Sequence, residues 1–220
     1  MKYSLIVGLS AAFALSATAS QAAIIGVNDP GASSAGTMAE ILPTAPMAVN
    51  NGSQFNTGMQ GFDERQNVVL ASAVSVDNNG EIANGGVVAA GTRVDSHMIF
   101  LNKQNGVSGR LSHEDVVWSF SGEILGVISG TNGADEAASN AALGAVGTTY
   151  PGAFSNRGLE NNDSYSVFGN ELTVSMFVTQ PGDWIRVITA SPIPVPGALP
   201  LMLAGLAGLG GLSRRRREAK

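Results

Sequence analysis

Between positions 61 and 190 the chain runs in short blocks in which apolar and polar residues alternate, the period of a strand that buries one face. Leu172, Val174, Met176 and Val178 fall on one side of such a block, with Thr173, Ser175 and Thr179 on the other. Val116, Trp118 and Phe120 form a second apolar face, and further blocks lie at 68–76, 96–101, 123–129, 164–168 and 184–189, each bounded by Gly, Asn, Asp or Pro. Seven strands in about 130 residues predict a mainly β fold, an antiparallel β-sandwich or jelly roll. One block departs from the period. Residues 135–143 are rich in Ala and carry acids at their start, which predicts a short helix. Residues 23–60, rich in Gly, Pro, Ser, Asn and Ala, predict an irregular region in which Ile24, Ile25 and Val27 are the best candidates for an edge strand. No internal repeat recurs at a fixed period, which argues against a solenoid or propeller.

The two ends follow other rules. Residues 1–22 begin with Lys2, continue through an apolar run from 5 to 15 and finish in small side chains, the order of a secretory signal peptide. Cleavage between Ala22 and Ala23 fits, with a cut after Ala19 as the alternative; signal peptidase and the translocon are the implied partners. At the other end, residues 191–200 are proline-rich, 201–213 are apolar, and 214–220 carry Arg214, Arg215, Arg216 and Arg217. Closely spaced prolines hold the chain extended and cannot donate backbone hydrogen bonds. Counted from Leu199 to Leu212, the apolar run is 14 residues long, which as a helix covers about 21 Å of a roughly 30 Å hydrocarbon layer. It predicts a short transmembrane anchor with the arginines cytoplasmic and the body, 61–190, outside.

Composition narrows the setting. The chain has no cysteine, so neither a disulfide framework nor a thiolate site holds the fold. Between Ala23 and Ser191 there are 16 acidic residues against 6 basic ones. A phosphate backbone is bound chiefly by clustered Lys and Arg, so nucleic acid is excluded as a partner, while cations and neutral polysaccharides remain compatible.

The tail resembles the PEP-CTERM sorting signals of Gram-negative bacteria, most closely the subtype whose motif reads Val-Pro-Leu-Pro-Ala. The likeness is carried by Val195, Pro196, Gly197, Ala198, Leu199 and Pro200, by the apolar helix at 201–212 and by the arginine cluster. No Glu stands between the prolines, and Gly197-Ala198-Leu199 replaces the single intervening residue. The resemblance implies an exosortase-type sorting enzyme as partner. It also implies a precursor anchored in the inner membrane and facing the periplasm, then passed to the cell surface or extracellular matrix, where exopolysaccharide is the implied contact. The runs Gly61-Phe62-Asp63-Glu64 and Gly182-Asp183-Trp184-Ile185-Arg186-Val187 are similar to runs in other secreted proteins with this kind of tail, a likeness that names no activity.

For chemistry, the spacing of the residues offers little. There is no nucleophile elbow, and His113-Glu114 lacks the second histidine of a zinc-protease helix, position 117 being Val. His97 and His113 read as surface or core residues. Asp63, Glu64, Glu114, Asp115 and Glu123 are the acids available to a glycosidase, which needs two carboxyl groups facing across a cleft; an extracellular polysaccharide hydrolase is the alternative function. Asp77, Asn79 and Glu81 surround Gly80 like part of a calcium loop, which would make the chain a calcium-stabilised adhesin, although Asn79-Gly80 is first of all a hairpin signal. Asn161, Asn162 and Asp163 form a second loop of the same kind. Trp184, at a strand start, is the aromatic most open to stacking on sugar. With no catalytic motif and no cofactor beyond calcium implied, the sequence reads as a non-enzymatic binding or structural module.

Overall fold

A computed structural model describes residues 23–50, 52–80, 82, 85–179 and 182–192. The signal peptide up to Ala22, Glu81, the sorting motif Val195 to Pro200, the anchor and the arginine cluster lie outside the described residues. Among the described residues no helix is long and apolar enough to cross a membrane.

The described chain is mainly β, with one short helix. In order it forms β1 (Ile24–Asn28), β2 (Glu40–Ile41), β3 (Gln60–Asp63), β4 (Val68–Val69), β5 (Val74–Ser75), β6 (Val87–Val88), β7 (Arg93–Leu101), β8 (Leu111–Phe120), β9 (Ile124–Ile128), α1 (Ala134–Leu143), β10 (Ser164–Phe168), β11 (Glu171–Val178) and β12 (Asp183–Ala190). One sheet has the order β1-β8-β11-β10 and is antiparallel throughout. The larger sheet runs β2-β3-β7-β12-β9, with β4 pairing β7 beyond the end of β3. It is mixed rather than purely antiparallel, because β2 lies parallel to β3. A two-stranded ribbon joins β5 to β6.

Side chains of both large sheets share one buried cluster. Val116, Trp118, Phe120, Leu172, Val174 and Met176 come from the four-stranded sheet, and Ile99, Leu101, Ile124, Val127, Ile185 and Val187 from the larger one. The faces expected from alternation at 116–120 and 172–178 are therefore the faces that are buried. The strand around Trp118 starts earlier than its alternation indicates. Asp115 adopts a positive φ of 56°, and the register slips between Val174 and Met176, so a bulge shifts the parity and returns Leu111 and His113 to the core side.

The larger sheet is covered on both faces. In β12 every residue from Asp183 to Thr189 is buried: Ile185 and Val187 face the shared core, whereas Trp184, Arg186 and Ile188 face the layer built from α1 and the long connections. Two sequence expectations change here. The block at 68–76 is not one strand but two short ones, because the chain leaves β7 at Leu70, whose N–H donates to Thr92, and turns to pair with β6. Residues 23–60 also contribute more than an irregular lead: the expected edge strand forms as β1 on β8, and β2 extends the larger sheet.

Candidate functional site

Both histidines are buried and held. The Met59 N–H donates to His113 Nδ1 at 2.9 Å, which leaves the ring proton on Nε2, where it faces Asp29 Oδ2 at 2.9 Å. His97 lies 2.7 Å from Asp63 Oδ1 through Nδ1 and 3.0 Å from Thr189 Oγ1 through Nε2. An acid, an imidazole and a hydroxyl in line have the order of a hydrolase relay. Here His97 and Thr189 are both 0 % exposed, so no substrate carbonyl reaches the hydroxyl, and only the Asp63 carboxylate is partly open to solvent.

The remaining acids are dispersed. Glu64 is enclosed: Arg186 donates to it through Nε at 2.7 Å and Nη2 at 2.8 Å, a two-pronged pair with both side chains fully buried. Arg186 also donates through Nη1 to the Glu136 carbonyl and the Ser139 hydroxyl, while Arg157 pairs with the Glu136 carboxylate. Burial opposes the charge on Arg186, but the Glu64 and Glu136 carboxylates outweigh it and hold its pKa above the ordinary arginine value. Burial pushes Glu136 up to about 7 against the pull of both arginines. It pushes the Tyr150 phenol up as well, with the Glu64 charge adding to the effect. Glu114 and Asp115 are exposed neighbours on β8 and line an open groove of about 390 Å³ with Pro30, Gly31, Ala32, Ser34 and Ser112. Both acids rise from one strand rather than from opposite walls, and Glu123 is exposed in the β8–β9 turn. The five acids proposed for a glycosidase are thus split among a histidine partner, a buried ion pair, one strand and one turn.

Trp184, the aromatic singled out for sugar stacking, is 1 % exposed and packs edge-on against Phe154 with ring centroids 6.0 Å apart. At the first calcium candidate, the Asp77 carboxylate accepts hydrogen bonds from the Ser129 N–H, the Ser129 hydroxyl and the Tyr165 hydroxyl. Asn79 is exposed beside Gly80, whose φ of 84° makes the turn.

The second acidic loop leads further. Carboxylate oxygens of Glu160, Asp163 and Asp183 lie within 4.8 Å of one another. Asp163 closes its own turn: one oxygen accepts the Glu160 N–H at 2.7 Å and the other the Phe177 N–H at 2.7 Å, with Asn161 in the left-handed region between. The Trp184 N–H donates to the Arg157 carbonyl, which docks this loop on the start of β12 and brings Asp183 alongside. Burial, then the charges of Asp163 and Glu160, push the Asp183 carboxyl up to about 9. Burial likewise raises Asp163 and Glu160. Three acids at this spacing repel unless protons or a cation neutralise them. Asp163 had a signal in sequence, an Asn-Asn-Asp loop; Asp183 had none, because 20 residues and a whole hairpin separate it from that loop. Compared with protein-family models, curated proteins and solved structures, the chain matches none of them.

Proposed function

We propose that the chain is an exported, surface or matrix-associated protein whose β-rich body, a sandwich or jelly roll of the two large sheets, works as a binding or structural module rather than as an enzyme. The observation that carries the non-enzymatic reading is where the reactive groups are spent. His97, His113, Thr189, Glu64 and Arg186 are all buried and bonded to other parts of the fold, the pattern of groups that hold strands and helix in place. The exported setting is supported by the sequence at its two ends, and the cysteine-free, acidic body is compatible with it.

In this reading signal peptidase releases the chain at Ala23, and the tail holds the precursor in the inner membrane. An exosortase-type enzyme then acts at the proline motif and delivers the body outward, where exopolysaccharide is the partner. Mass spectrometry of the protein from native cell fractions tests it: the expected product starts at Ala23 and lacks Arg214 to Arg217. A soluble cytosolic polypeptide that retains all 220 residues ends the reading.

A further inference from the structure

We infer that Glu160, Asp163 and Asp183 form a binding site for a hard divalent cation, calcium before magnesium, which clasps the two large sheets together at one end of their shared core. An acidic cluster alone would not carry this, since exposed carboxylates often gather without an ion. The deciding feature is Asp183. Its side chain is 2 % exposed, and its Oδ2 is buried without a hydrogen-bond donor although it stands among two more carboxylates. An unpartnered acidic oxygen in that position costs stability unless something positive meets it. Oε2 of the half-buried Glu160 is unpartnered in the same way.

The donor set selects the ion. All three donors are carboxylate oxygens, which suit calcium, magnesium and manganese rather than the metals that favour imidazole or thiolate. Two oxygens bound to one calcium at about 2.3–2.6 Å stand at most about 5 Å apart, whereas magnesium at about 2.0–2.1 Å brings them to within about 4.2 Å. The three carboxylates lie within 4.8 Å of one another, close enough for one calcium to bridge, and magnesium, which usually takes only one or two carboxylates and keeps several waters, is the poorer match to a set of three. Asp163 uses one lone pair of each oxygen on a backbone N–H, which orients the carboxylate and leaves the others free to coordinate. The elements involved give the consequence. Asp183 opens β12 and shares its side with Ile185 and Val187, towards the core; Asp163 directly precedes β10 and is bonded to β11 through the Phe177 N–H; Glu160 lies on the loop before it. One ion would join the larger sheet to the four-stranded one.

The test is thermal unfolding of the full chain in mild detergent, in EDTA and in millimolar calcium, for the unaltered protein, Asp183→Asn and Asp77→Asn. The unaltered protein is expected to gain about 5–10 °C with calcium at a hundred times its dissociation constant. Asp183→Asn is expected to lose that gain, yet to melt in EDTA at or above the unaltered protein, because the amide removes a buried repulsion. Asp77→Asn should keep the gain. Glu160→Gln, at a half-buried position, supplies a second reading should Asp183→Asn fail to fold. Its calcium affinity should fall at least the roughly tenfold that losing a supporting residue costs. No rise in the unaltered protein overturns the site, as does a rise undiminished in Asp183→Asn or a calcium affinity unchanged in Glu160→Gln, or a rise lost only in Asp77→Asn.

Discussion

The two glycine-led runs acquire a physical meaning at the level of single residues. A Cβ on Gly61 would stand 2.6 Å from Cζ3 of the fully buried Trp118, and one on Gly182 would stand 2.6 Å from the Leu101 carbonyl oxygen. Gly61 makes room for the Trp118 ring of the other sheet, and Gly182 lets the backbone just before β12 lie against the end of β7. Gly61→Ala should therefore destabilise the fold by about 1–3 kcal/mol, read as a lower midpoint in urea unfolding. The acid and the base that follow these glycines, Glu64 and Arg186, meet as the buried pair. Arg186→Met strands the Glu64 charge and should cost about 3–5 kcal/mol, whereas Arg186→Met with Glu64→Leu should cost clearly less. Equal losses in the single and double variants would show that packing rather than charge dominates the site. None of this was readable from the runs themselves, because alternation marks which face of a strand is apolar and is silent on a buried ion pair.

Helix α1 shows why an element can be located correctly while its packing face is missed. The Ala-rich block with acids at its start forms the expected helix, yet Glu136 turns inward rather than to solvent. Glu136, Ser139, Asn140 and Leu143 share one face, and that face docks on Arg186 and Arg157 through hydrogen bonds and ion pairing more than through apolar contact. Hydrophobic periodicity cannot reveal a polar docking face. A pH dependence follows. Because the Glu136 pKa is raised by burial, the folded state binds more protons than the unfolded one between about pH 4.5 and about 7. Its contribution to stability is complete at the acid end and declines as pH rises through that window. Glu136→Gln removes this slope, so the stability difference between variant and unaltered protein should change across the window and level off above it. A constant difference from pH 4 to 8 would refute the assignment. The strands behaved more predictably: 164–168, 172–178 and 184–189 all appear, while 68–76 divides because Leu70 leaves one neighbour for another.

For the molecule as a whole, the proposed address and the described body rest on different residues. The proposed sorting depends on residues outside the described ones, so loss of Arg214 to Arg217 should alter membrane retention in cell fractionation. Calcium binding rests on the body and should persist if the tail reading fails. The sequence by itself determined the mainly β class, the helix, most strand positions and the buried face around Trp118, because these depend on periods of two and 3.6 residues that local order carries. Only the tertiary structure decided the mixed sheet, the inward histidines, the burial of Trp184, the Glu64–Arg186 pair and the meeting of Asp183 with Glu160 and Asp163. Each of those joins side chains distant along the chain, or depends on what covers the outer face of the larger sheet. Such pairings are fixed by how the sheets stack, and alternation within any one strand carries no record of its neighbours.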